Sequence, residues 1–333
     1  MARACLLAAA GGVAVWLGAV PARAEPQQDF AGWLAGFKSD ALTQGIAKTT
    51  VEQALANVQP IDRVLELDRR QPEFTMTFAS YLGHVVTPAR VRDGRRRLHE
   101  NGVTLKAVEK EYGVPASQIV AMWGIESGFG AATGGFPVVS ALATLAYDGR
   151  RSQYFRGELI NALKIIDRGI PASHMQGSWA GAMGQCQFMP STYLKYAKAW
   201  KGEGTPDIWN KTPDVFASSA NYLAQIGWNP KVRWGRAVKL PKGGLAPSLM
   251  TLEVKKSLAE WNQLGVRLPN GKPLPTRPDI QASLVRAETG KNGDVGRGPP
   301  FLVYDNFRVL MKWNRSIFFA IAAGTLADRI GTQ

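Results

Sequence analysis

The chain has 333 residues, 45% hydrophobic and 20% charged, with a formal net charge of +14. That length allows about two domains around a sizeable buried core, and a composition this apolar excludes a disordered chain. Two cysteines, Cys5 and Cys186, exclude a disulfide framework, and the basic balance favours anionic wall polymer or membrane surface over nucleic acid, for which no recognised module is present.

Residues 1–24 read as a secretory signal peptide. Arg3 supplies the positive start, LLAAAGGVAVWLGAV the apolar middle, and Ala22-Arg23-Ala24 a small-x-small cleavage site. Cys5 lies before the apolar run, so no lipid anchor is expected. Without Arg3 and Arg23 the mature charge is +12 (14 less 2). No later stretch reaches the roughly 18 apolar residues of a membrane span, and SIFFAIAAGTLA reads as a buried helix. The expected product is a soluble, monomeric periplasmic protein that keeps one thiol, Cys186, and no transmembrane anchor.

Residues 25–116 read as a helical N-terminal region. FAGWLAGFKSDAL and TTVEQALANV space their apolar residues by three and four, with Thr49 or Thr50 as the expected N-cap of the second. PARVRDGRRRLHENG carries Arg90, Arg92, Arg95, Arg96 and Arg97, which fits a solvated helix face or a contact with acidic polymer or lipid headgroups. Residues 117–229 read as one compact helical core. Residues 230–300, rich in Pro and Gly around short apolar runs such as ASLVRAE and PFLVYD, read as a small inserted β-containing subdomain. Residues 301–333 return to the core, with helix over 304–329. The fold class is mainly α (α+β).

The stretch GIESGFG, residues 124–130, sets a carboxylate at the end of an apolar helix. The helix is expected to start at Ser117 as N-cap and to stop near Gly128. Glu126 lies seven, four and three residues after Ile119, Met122 and Trp123, on the same stripe, while Val120, Ala121 and Ile125 make the other face apolar too. A helix apolar all round is buried. Desolvation and the negative end of the helix dipole both raise a carboxyl pKa, which suits a general acid near neutral pH. Spacing alone leaves open a glutamate that only braces a loop. Downstream, SWAGAMGQCQFMPSTY (178–193) has no charge and carries Trp179, Met183, Gln185, Gln187, Phe188 and Tyr193. Rings beside uncharged amides suit a sugar chain, and a tight helix–loop–helix core is the alternative.

GIESGFG, ALATLAYDGRRSQYFRGEL, SWAGAMGQCQFMPSTY, SSANYLAQIGW and NFRVLMKWNRSIFFAIAAGTLADRI together resemble the lytic murein transglycosylase B family, in register over nearly all of the mature chain. The resemblance implies a lysozyme-like helical core and cleavage of the MurNAc-β-1,4-GlcNAc bond of peptidoglycan glycan strands without water, giving 1,6-anhydroMurNAc products. It makes Glu126 the single acid/base, with Ser178, Gln187, Phe188, Tyr222 and Asn314 lining the groove and Arg150 and Arg151 near the peptide stem. Ser127 and Met183 complete the expected substrate-binding set.

The chain departs from the family in two places. Gly184-Gln185-Cys186-Gln187-Phe188 stands where the family usually has Gly-Tyr-Gly-Gln-Phe. AWKGEGTPDIWN replaces the calcium loop of some members, with Ala199 and Lys201 at ligand positions and only Glu203 and Asp214 remaining. Calcium takes six to eight oxygens, so neither metal nor other cofactor is expected, and His84, His99 and His174 show no metal-ligand spacing. The rival readings are a hydrolytic muramidase using a second acid, Asp148, and a catalytically silent wall-binding scaffold.

Overall fold

A computed structural model describes residues 29–69, 76–202, 204–288 and 297–332. The expected signal peptide and Glu203 lie outside them. Six helices come first: α1 (Phe30–Thr43), α2 (Lys48–Ala54), α3 (Asp62–Arg69), α4 (Phe78–Val85), α5 (Pro88–Glu100) and α6 (Gly102–Tyr112). Then come α7 (Ala116–Ser127), β1 (Phe136–Pro137), α8 (Val138–Tyr147), α9 (Ser152–Asp167), β2 (Gln176–Gly177), α10 (Pro190–Tyr196) and α11 (Thr212–Gln225). The inserted unit holds β3 (Gly235–Ala237), β4 (Lys256–Ser257), α12 (Leu258–Gln263), β5 (Gln281–Arg286) and β6 (Pro300–Val303), and the chain closes with α13 (Asp305–Trp313) and α14 (Ile317–Gly331).

The architecture is the expected one: mostly helix, with a lysozyme-like core and small sheets. One apolar core runs from Leu34 to Ile330, so the N-terminal helices share their interior with α7–α11, α13 and α14. A second core, built on Trp261, Leu284, Leu302 and Tyr304, belongs to an antiparallel sheet of order β3-β6-β5-β4. Its register pairs Gly235 with Val303 and Leu284 with Leu302. The sheet therefore runs three residues past the expected boundary at 300. Fully burying a Leu or Phe side chain stabilises by about 1.5–3 kcal/mol, so each core can hold its own unit together.

The two units meet at α14. A Cβ added to Gly324 would lie 2.2 Å from the Trp234 ring, so only glycine lets the helix dock there. Trp234 Nε1 donates to Asp328 Oδ2 (3.1 Å), and Asn306 accepts from Asn229 N (2.7 Å) while donating to Asn229 O (2.8 Å).

Two helix starts differ from expectation. α7 begins two residues earlier, with Pro115 as N-cap and Ser117 inside the helix; Glu109 of α6 supplies an acceptor, its Oε2 taking Ala116 N at 3.0 Å. α2 has Ala47 as N-cap in place of Thr49 or Thr50, and Asp167 of α9 accepts Ala47 N at 3.2 Å. In both, a carboxylate from a neighbouring helix accepts an amide at the helix start, which lacks an intrahelical partner. The far end of α7 follows the sequence: Gly128 takes the left-handed conformation (φ 57°), and Phe129 N closes on Trp123 O at 3.2 Å.

Candidate active site

Glu126 sits in the last turn of α7, one residue before the buried Ser127. The Glu126 residue keeps a minor share of its surface open, yet protein packs closely about the carboxyl. Burial pushes its pKa up to about 7, and a hydrogen bond from Trp313 pulls the other way. Trp313 Nε1 donates to Glu126 Oε1 at 2.7 Å. This indole, at the end of α13, leans on Tyr222 (4.9 Å between ring centroids) and Phe188 (5.4 Å), and Tyr222 stacks on Tyr196 at 4.5 Å. Helices α10, α11 and α13 thus contribute to one aromatic wall beside a carboxyl that is poised between its two protonation states at neutral pH.

A folded loop between β2 and α10 supports that wall. Met183 bridges to both Gly177 and Phe188. Ser178 Oγ accepts Ala182 N at 3.0 Å, and Gln187, at φ 52°, donates from Nε2 to Thr133 O (3.0 Å) and Gly184 O (2.8 Å). The departures from the family are accommodated beneath the site. Gln185 is buried, accepts from Trp123 Nε1 (2.8 Å) and donates to Trp209 O (2.7 Å). Cys186 is buried, and its thiol pKa is pushed up to about 12 by burial; a hydrogen bond from Ser219 opposes this and the charge of Glu126 adds to it. Such a thiol is not a nucleophile at neutral pH.

The remaining expected residues divide by exposure. Ser178, Gln187 and Tyr222 are partly exposed and Asn314 is exposed. Ser127, Met183 and Phe188 are interior, so they brace the site instead of meeting solvent. Ser127 Oγ donates to Gln185 O (2.9 Å) and accepts Gly130 N (3.1 Å), which pins the GIESGFG turn. Arg150 and Arg151 both face the buried Asp68 of α3, at 2.9 and 2.7 Å. Burial alone would raise the Asp68 pKa; the two guanidiniums overcome it and hold the carboxyl below its usual range. Both arginines remain partly exposed while paired with Asp68, a partner that lies outside the motif that carries them.

The other acids near in sequence are occupied. Asp148 pairs with Arg69 at 3.1 Å, and Glu158 accepts Ser191 N (2.9 Å) and Ser191 Oγ (2.6 Å) at the start of α10. Asp214, buried, accepts Trp200 N (2.8 Å) and Asp207 N (2.9 Å), so both its oxygens hold the loop that replaces the family's calcium loop. Lys201 lies over the Trp200 ring, and among the described residues no cluster of three His, Cys, Asp or Glu could take a metal. The arginines of α5 mostly turn to local partners: Arg96 pairs with Asp93 and Glu100, and Arg97 with Glu100.

Sequence reading missed Trp313. The signal was present: Trp313 lies seven residues after Asn306, four after Val309 and three after Leu310, on the buried stripe of α13. Trp313→Phe keeps the ring wall and removes the donor. Without that bond the Glu126 pKa is expected to climb above about 7, so the alkaline limb of the pH–rate profile moves upward. Loss of a hydrogen bond to a charged group, about 1.5–3 kcal/mol, lowers kcat by roughly tenfold or more. An unchanged profile would dissociate the indole from the carboxyl.

The sequence profile of the transglycosylase SLT domain matches residues 29–328. The chain is 30% identical to the membrane-bound lytic murein transglycosylase B of Escherichia coli (strain K12) over 298 residues, 86% of this chain and 79% of that protein. Its fold superposes on SltB3 of Pseudomonas aeruginosa in complex with NAG-NAM-pentapeptide with a TM-score of 0.86 at 44% identity, covering 92% of this chain and 80% of that one. The same protein in complex with NAG-anhNAM-pentapeptide gives 0.85 at 45%, covering 90% and 79%. Escherichia coli Slt35 in complex with calcium gives 0.74 at 28% identity, covering 89% and 92%.

Proposed function

The chain belongs to the transglycosylase SLT domain family, and on that premise we propose that Glu126 is the single acid/base of its reaction. The protein is a peptidoglycan lytic transglycosylase. The observation that carries the residue assignment is the Glu126 carboxyl itself: partly open, with a pKa raised to about 7 and a donor fixed on one oxygen.

Protonated, Glu126 gives its proton to the glycosidic oxygen between MurNAc and GlcNAc as the bond to the anomeric carbon breaks. The carboxylate left behind takes the proton of the muramoyl 6-hydroxyl, whose oxygen closes on the anomeric carbon to give the 1,6-anhydro product and regenerate the acid. The attacking hydroxyl is part of the substrate, so proximity replaces a bound water. Ordinary glycosidases need two carboxylates; Asp148 and Glu158 are held by other partners, which favours the one-acid scheme over a muramidase using Asp148. Ser178, Gln187, Tyr222 and Asn314, the expected groove residues open to solvent, line the glycan path, with Ser127, Met183 and Phe188 supporting it from within.

The protein is exported to the periplasm by residues 1–24 and works there as a monomer; among the described residues no helix is long and apolar enough to cross a membrane. It works without calcium, because Asp214 already bonds two backbone amides where a ligand would be needed.

Mass spectrometry of digested sacculi tests the reaction. Fragments lighter by one water than hydrolysed ones are expected, and reducing muramic ends alone would overturn the scheme. Activity is expected to fall as pH rises through about 7, where Glu126 loses its proton; a rate independent of pH from acid to alkaline would contradict the acid role.

A further inference from the structure

We propose that the groove between α5, α6, the start of α7 and the end of α14 is a second binding site, for a short acidic peptide. It rests on the peptidoglycan reading, since that polymer carries short peptides along its strands. The cavity has a volume of about 650 Å³, within the roughly 300–1,000 Å³ of ligand sites. Leu98, Leu105 and Ile330 floor it, and Val103, 89% exposed, stands at its edge.

Two fixed positive charges at the rim, Arg95 and Lys106, outnumber its acid, Glu109. Arg95, His99 and Lys106 line the groove and are exposed. Arg96 and Arg97 next door are paired with Asp93 and Glu100, whereas neither Arg95 nor Lys106 joins an ion pair among the described residues. Arg95 instead donates to neutral acceptors, Arg329 O (2.8 Å) and Thr332 O (2.7 Å). Those bonds fix the guanidinium at the mouth of the groove without cancelling its charge, so it is oriented before any anion arrives. Glu109, the acid of the lining, accepts Ala116 N and keeps its negative charge, directed at the start of α7. A short peptide that alternates small apolar side chains with carboxylates matches an apolar floor edged by cations.

The position suits a second contact with the same polymer. Ser117 lines the groove and Glu126 lies nine residues on along α7, a separation of about 14 Å along the helix axis. A strand whose glycan occupies the Glu126 site could thus be held by a neighbouring peptide, raising the effective concentration of the polymer without new contacts at the reacting bond.

Isothermal titration calorimetry of the full chain with a glycan-free stem pentapeptide tests this. Saturable binding is expected, weakened by added salt. Lys106→Glu and Val103→Asp, both at exposed positions and checked for an unchanged melting temperature, are expected to weaken it more than tenfold, while Glu126→Gln leaves it intact. On sacculi the two groove variants raise KM with kcat unchanged; on peptide-free glycan strands they match the wild type. Absence of saturable binding, or equal affinity of the variants, overturns the proposal, as does binding to anionic phosphatidylglycerol vesicles in place of the peptide. If the peptide binds but glycan is never cleaved, the groove stands and the catalytic reading falls; cleavage without peptide binding removes the groove alone.

Discussion

Glu126→Gln is expected to cut peptidoglycan turnover by about a thousandfold or more while leaving the fold intact. Glutamine has the shape of glutamic acid and keeps an oxygen for the Trp313 indole, which donates to Oε1 at 2.7 Å. It can neither give nor take a proton. A positioned acid or base contributes about 10²–10⁴ in rate, and here one group serves both proton transfers, so the loss belongs at the upper end of that span. Zymography on purified sacculi measures it, and clearing equal to the wild type would remove Glu126 from the chemistry. The same variant carries a stability signature. The folded pKa of about 7 lies above the ordinary value of 4.5, so the folded state holds its proton more tightly than the unfolded chain, and wild-type stability drops as pH rises from 4.5 to 7. Glutamine has no charge to bury. Its melting temperature is therefore expected to exceed that of the wild type above pH 7 and to approach it below the ordinary carboxyl value.

Asp214→Ala is expected to destabilise the protein by about 3 kcal/mol, since two amide bonds to a buried carboxylate are lost and each is worth about 1.5–3 kcal/mol before relaxation. For a chain of more than 300 residues that corresponds to a fall in melting temperature of roughly 5 °C. Asp207, which Asp214 holds through its backbone, in turn accepts Trp209 N (3.0 Å), and Trp209 O receives Gln185 Nε2. The damage therefore reaches the layer under the active site, and kcat is expected to fall as well. Differential scanning calorimetry with and without calcium reads both the stability and the metal question. Calcium that stabilised the wild type, or restored the variant, would show the loop to be a metal site after all.

The features legible in the sequence were those set by local pattern. The all-apolar face of α7, the glycine that ends it and the isolated glutamate follow from the order of residues, as does the Pro- and Gly-rich stretch that became the small sheet. What escaped depends on residues far apart in the chain. Asp167 accepts the amide of Ala47, 120 positions away, at the start of a helix whose own first residues suggested a threonine cap. Asp68 meets Arg150 and Arg151 across 82 and 83 positions; an arginine pair beside exposed turns reads as available until its partner is seen. Met183, Ser127 and Phe188 carry family motifs but lie inside, because spacing tells which stripe a residue joins and not how deep that stripe is set.

The Trp313–Glu126 bond spans 187 positions, and α14, which follows the tryptophan, packs back on α5 and α7, where a Cβ on Gly94 would meet Ile330 at 2.4 Å. Neither contact can form before the last two helices have been made. A polypeptide emerging amino end first would therefore carry its glutamate for most of its synthesis without the indole that tunes it. The enzyme arms itself last: a stalled or clipped chain lacking the final helices would be an inert fragment in a cell whose wall it could otherwise dissolve.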